Sequence, residues 1–159
     1  MVIHKKQKIK ELITQEQAIE LADKYLLYTG KIALRDNISI GKSVRGWQIV
    51  ATTTPIILGM PIEISSFPID IETGEVGAVI TAAVSIPEEL KKINQQKDID
   101  ETKKEQLNTK VREFEDAIKK PVDRNKINEL KKWFETNASH MKTIIDFIKL
   151  ILKFWDLVS

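Results

Sequence analysis

The chain contains no cysteine. That absence excludes disulfides, thiol catalysis and cysteine-ligated metals, and it fits a reducing compartment. Net charge is scarce as well. Lys and Arg number 25 against 23 Asp and Glu, a formal +2 at pH 7, which argues against a broad nucleic-acid footprint. The two histidines, His4 and His140, stand far apart in sequence and make no metal-ligand spacing. No stretch of about 18 uncharged apolar residues occurs, the length needed to cross a bilayer. The Lys-rich N-terminus has neither an apolar h-region nor a small-residue cleavage site, so it does not read as a secretory signal. The expectation is a cytoplasmic protein with no metal or cofactor. Its 159 residues, 42% apolar and 30% charged, suffice for one ordinary core or two small ones.

The organising stretch runs from Gly46 to Val84. Trp47, Ile49 and Ala51 alternate with Gln48, Val50 and Thr52, the pattern of a strand. Thr52 to Pro61 reads as a long, partly apolar connection. Ile62 and Ile64 then share one face, whereas Phe67, Ile69 and Ile71 have the opposite parity. This switch predicts a bulge or bend at Ser65-Ser66, because a one-residue slip would otherwise bury the wrong face. After the Thr73-Gly74 turn, Val76, Ala78, Ile80, Ala82, Val84 and Ile86 alternate without a break.

Before this stretch, His4 to Lys10 is a short basic arm. It reads as a solvated leader, with contact to phosphate or anionic lipid as the functional alternative. Thr14 and Gln17 form a capping box, and Ile13 and Ala18 stand where a hydrophobic staple lies. Ala18, Leu21, Ala22, Tyr25 and Leu26 repeat at helical spacing up to Gly30, the natural stop. Ile32/Leu34 and Ile38/Ile40 are short alternating runs around a turn at Asp36-Asn37.

Motifs that could carry chemistry are sparse. Gly41-Lys42-Ser43 ends like a phosphate-binding loop, but the full pattern needs a glycine where Asp36 stands and a helix afterwards. A strand follows, so these residues are expected to form a hairpin turn. Asp70, Glu72 and Glu75 cluster near a hairpin tip and could hold a hard cation, although Asp70 better suits capping the turn. No serine or threonine has the glycine context of a nucleophile elbow. No catalytic, cofactor-binding or metal-binding residue is assigned.

Beyond Pro87 no strand signal remains. Pro87, Glu88 and Glu89 suit a helix start. Lys91 to Lys104 is polar and reads as a solvated helix or a linker. Leu107, Val111, Phe114 and Ile118 follow at 4-3-4 spacing, and Pro121-Val122-Asp123 breaks that helix, with Asp123 able to cap the next. Leu107, Val111, Phe114 and Ile118 are expected to pack on Ile127, Leu130 and Phe134, given the short connection. Ile127, Leu130, Phe134, Asn137, Met141, Ile144, Ile148, Ile151, Trp155 and Val158 form a heptad seam. Asn137 either sets its register or marks a helix break. From Ile144 the apolar surface widens, and Lys142, Asp146, Lys149, Lys153 and Asp156 keep to one stripe.

Thr14 to Ala22, the Gly46-Trp47-Gln48-Ile49-Val50 strand and Ile69 to Val76 resemble the PepSY-like domains and the bacterial immunity-protein domains of the Imm35 type. The resemblance covers residues 13–80 and departs from those families in the Thr52–Pro61 connection. It implies a cystatin-like α+β unit, a helix packed on an antiparallel sheet, acting as a non-catalytic binding or inhibitory module. The expected architecture is therefore α+β, with residues 1–86 as the sheet domain. Residues 87–159 then form a helical hairpin and an amphipathic C-terminal helix.

The wide apolar face of that last helix is expected to self-associate or dock on another protein. Met141, Ile144, Ile148, Ile151, Phe154 and Trp155 are the interaction residues, and the chain is expected to be a homo-oligomer with no nucleic-acid partner. The alternative is a peripheral membrane element. Lys and Asp alternate along the polar stripe, however, whereas a lipid-seeking helix carries excess positive charge, so a protein partner is favoured. A third reading is a small enzyme using the acidic hairpin.

Overall fold

The computed structural model describes residues 11–55, 61–119 and 121–159; the basic arm at His4–Lys10 lies outside them. The fold is α+β. Helix α1 (Gln15–Tyr28) leads into strand β1 (Lys31–Ile32), a single 3-10 turn (Arg35–Asn37) and strand β2 (Ile38–Ser43). Strands β3 (Gly46–Pro55), β4 (Ile62–Asp70) and β5 (Ile80–Val84) complete an antiparallel sheet in the order β1-β3-β4-β5, with β2 also pairing β3. Helices α2 (Ile86–Gln95), α3 (Glu101–Lys119), α4 (Arg124–Asn137) and α5 (Lys142–Asp156) follow.

Local chemistry sets most of the element ends. The Thr14 hydroxyl accepts the Gln17 N–H at 3.1 Å, and the Gln17 side chain accepts the Thr14 N–H at 2.9 Å. Past the other end of α1, Gly30 takes φ +83°, a conformation only glycine enters freely. Asp123 caps α4 by accepting the Lys126 N–H at 3.0 Å. The polar stretch after Lys91 resolves into the end of α2, a break, and α3, whose first turn is capped by Asp100. Thr52 to Pro55 belong to β3, so the long connection expected from Thr52 is shorter than the sequence implied.

The sheet is covered on both faces. On one, Ala18, Ala22 and Leu26 of α1 pack against Trp47, Ile49, Ala51, Phe67 and Ile69. On the other, Val50, Ile62, Ile64 and Val84 join a larger cluster built from α2 to α5. This double burial explains the parity switch in β4. The strand runs through Ser65-Ser66 with no bulge, in unbroken register from Glu63↔Thr53 to Asp70↔Gly46. Ile62 and Ile64 face the helices, and Phe67 and Ile69 face α1. The parity changes because the covering layer changes.

The irregularity sits one strand later. Between Ser66↔Ile80 and Ile69↔Val76 the chain takes four residue steps on one side and three on the other. The alternating run from Val76 is thereby interrupted, and regular pairing is confined to Ile80–Val84. Pro68 supplies the reason. Its carbonyl accepts the Gly77 N–H at 2.9 Å, and a strand residue's N–H and C=O leave on the same side. Proline has no N–H to return, so the ladder fails there.

The helices close over the second face as one body with the sheet. Leu107, Val111, Phe114 and Ile118 share a buried cluster with Ile127, Leu130 and Phe134, and Lys126 pairs with Glu113 at 2.7 Å across α3 and α4. The boundary expected at residues 86/87 runs through this cluster. Polar contacts cross it too: the Asn37 side chain accepts the Val122 N–H at 2.8 Å, and Arg124 donates to the Ser39 hydroxyl at 2.6 Å.

The seam expected to run unbroken from Ile127 to Val158 is interrupted between Asn137 and Lys142. Asn137 is exposed and donates its amide to the Trp133 carbonyl, while Ala138 takes the buried position beside it. Of the two readings of Asn137, the helix break is the one observed.

Candidate interaction surface

The six residues expected to form an exposed docking face lie inside the chain's own core. Met141, Ile144, Ile148, Ile151, Phe154 and Trp155 are each no more than 6% exposed. The break after Asn137 turns α5 back, so its apolar side meets α3, α4 and the sheet rather than solvent. Phe147 packs edge-on against Phe114, with ring centroids 6.0 Å apart, and the Arg124 guanidinium lies 4.8 Å from the Trp155 ring centroid. Along the helix the stripe of Lys142, Asp146, Lys149, Lys153 and Asp156 stays exposed, with Thr143 beside it. The membrane-surface alternative drew on the same apolar face, and that face is covered. Among the described residues no helix is long and apolar enough to cross a membrane.

Gly41-Lys42-Ser43 also sits differently from the expectation. These residues end β2, and the turn is Val44-Arg45. Gly41 serves packing: a Cβ there would lie 2.6 Å from the Val158 Cα, so the C-terminal segment crosses β2 where no side chain intervenes.

A concave surface lies at the end of the sheet, where two hairpin tips meet. A cleft of about 430 Å³ is lined by Val44, Arg45, Pro68, Ile69, Glu75 and Val76, among others. An adjoining one of about 610 Å³ opens against Lys42, Arg45, Asp70, Glu72 and Thr73. Val44 is fully exposed. An apolar residue at the tip of a two-residue turn was the signal available in the sequence, since such tips favour Gly, Asn or Asp.

The second tip is stiff. The Asp70 carboxylate accepts the Glu72 and Thr73 amides at 2.8 and 3.0 Å, and the Thr73 hydroxyl accepts the Glu75 N–H at 3.2 Å. Gly74, at φ +74°, closes the turn by donating to the Asp70 carbonyl at 2.9 Å. The two tips are tied together where the Ile71 N–H donates to the Arg45 carbonyl at 3.0 Å. Gly46 lets them approach: a Cβ there would stand 2.1 Å from the Ile69 carbonyl oxygen. Among the described residues no group of three or more His, Asp or Glu side chains is placed to hold a metal ion.

No family model, curated protein or solved structure matches this chain. An apolar centre rimmed by a cation and carboxylates, on a backbone fixed by its own turn hydrogen bonds, suits binding with little ordering cost.

One measurable consequence concerns Asp70. Hydrogen bonds from the Thr73 and Glu72 amides, aided by the Thr73 hydroxyl and the Arg45 charge, hold its carboxyl below the ordinary 3.8. A depressed folded-state pKa stabilises the turn above the unfolded-state value, and that support is lost as pH falls through the folded-state value. Following the Glu72 and Thr73 amide shifts by NMR titration should give a midpoint below 3.8. A midpoint at or above it would mean that the carboxylate does not cap the turn in solution.

Proposed function

We propose that this chain is a cytoplasmic, non-catalytic protein-interaction module that docks a partner through the paired hairpin tips at the end of its sheet. The observation that carries this reading is the fully exposed Val44 beside a cleft floored by Pro68, Ile69 and Val76. A lone apolar residue at the crest of a turn tied to the neighbouring hairpin tip has no role in the chain's own core, yet it can fill a pocket on a partner. Arg45 on one side and Asp70 and Glu75 on the other would set orientation by charge. The resemblance of residues 13–80 to PepSY-like and immunity-protein domains supports an inhibitor- or immunity-like version, in which binding silences the partner.

The test is comparative capture with wild-type protein and a Val44→Asp variant. Aspartate suits a turn, so the variant should melt with the wild type while its partner dissociates at least about tenfold more readily. A partner held equally well by both proteins would sink the assignment. The inhibitory version further expects the partner's own activity to fall in proportion to complex formed.

A further inference from the structure

The two edges of the sheet are unlike one another. One is broken into β1 and β2 by the 3-10 turn at Arg35–Asn37 and carries Lys31, paired to Glu63 at 3.3 Å, and Lys42, stacked on Trp47. The other is β5, and among the described residues no strand lies beyond it. From Val76 to Pro87 the sequence holds no charged residue. Sheet edges are usually guarded by Lys, Pro, a bulge or a covering element. Here the register offset at residues 77–79 protects only the approach, and five regular residues remain open.

The pairing tells which backbone groups are open. Pro68 and Asp70 turn their polar groups toward the β5 side, since Gly77 donates to the first and Asp70 donates to Glu75. By alternation Ile62, Ile64 and Ser66 do the same, and their partners Val84, Ala82 and Ile80 are bonded inward. Thr81 and Ala83 therefore direct N–H and C=O outward from the sheet.

We infer that β5 pairs with the β5 of a second copy, antiparallel, about a two-fold axis at Ala82. That register sets Thr81 opposite the partner's Ala83 and Ala83 opposite the partner's Thr81, so every outward group finds a complement. Ala82 faces its own equivalent at the narrow, non-hydrogen-bonded position, where side chains come closest and alanine is small enough to fit. Ile80, 58% exposed on one chain, comes to lie opposite the partner's Val84. No like charges meet, which is the condition a self-complementary edge must satisfy. This contact is separate from the hairpin surface, so Val44→Asp should leave it intact.

Sedimentation velocity from micromolar to several hundred micromolar should show a monomer–dimer equilibrium. Ala83→Pro removes an outward N–H and no bond to β4, and it should raise the dissociation constant at least about tenfold. Should that variant not fold, hydrogen exchange on the wild-type chain decides. The Thr81 and Ala83 amides should become protected as concentration rises, while those of Ala82 and Val84 are protected throughout. A chain that stays monomeric overturns the inference and leaves the edge to a foreign strand. So do an Ala83→Pro protein that folds and dimerises like the wild type, and a dimer whose Thr81 and Ala83 amides exchange freely.

Discussion

A chain ending at Asn137 is expected not to fold. It loses α5 and with it Ile144, Ile145, Phe147, Ile148, Ile151, Phe154 and Trp155, all buried. Burying a large apolar side chain is worth about 1.5–3 kcal/mol, so the set contributes on the order of 10–20 kcal/mol before the entropy of ordering the helix is subtracted. That matches or exceeds the roughly 5–15 kcal/mol by which a whole domain is stable. The loss is not confined to the tail. Phe114 and Leu130 belong to the same cluster, and so do Val50, Ile64 and Val84 of the sheet, which would be left open to water. The truncated chain should give a poorly dispersed amide spectrum and no cooperative melt. A dispersed spectrum with a sharp thermal transition would show that the sheet and α1 hold together without their second cover. The same reasoning ties residues 1–86 to the helices, because one whole face of the sheet has no other lid.

Replacing Trp47 by alanine is expected to be the most damaging single change on the opposite face. The indole is buried among Ala18, Ala22, Ile49 and Ile69, and its N–H donates to the Ile13 carbonyl at 2.9 Å. That bond fixes the chain entering α1 to the start of β3. Truncating a buried Trp costs about 3–5 kcal/mol, and the freed Ile13 carbonyl loses its protein partner as well. For a chain of this size the melting temperature should drop by roughly 10 °C or more. Trp47→Phe, which keeps most of the volume and loses the donor, should fall between the two. An unchanged melting temperature for Trp47→Ala would mean that the ring is not packed as described and is free for binding.

Trp47 was legible as a core residue because it heads an alternating run, and the helix opposite it supplies alanines at the spacing close packing needs. The interaction face assigned to α5 was read from an equally clear pattern, with a different outcome. The periodicity correctly marked Ile144 to Trp155 as a surface to be covered and Lys142 to Asp156 as the stripe to stay wet. A bare apolar face, however, carries no label for what covers it. The hairpin tips were visible only in part. Asp70 stood out because it caps its own turn, whereas Val44 became notable only once Gly46 and the Ile71–Arg45 hydrogen bond had brought two distant turns side by side.

By itself the sequence determined whatever depends on near neighbours: the capping box at Thr14, the stop at Gly30, the Asp70 turn, the Asp123 cap and the alternation of β3. Those features rest on hydrogen bonds and side-chain spacing within about four residues, and no distant contact is needed to form them. The tertiary structure alone decided that both faces of the sheet are covered, that β4 is regular, and that the extra residue falls opposite Pro68. It also decided that α5 folds back onto its own chain. Each of these turns on which of several apolar surfaces meet, and hydrophobic attraction, being non-directional, writes the need for a partner into the sequence without writing its address.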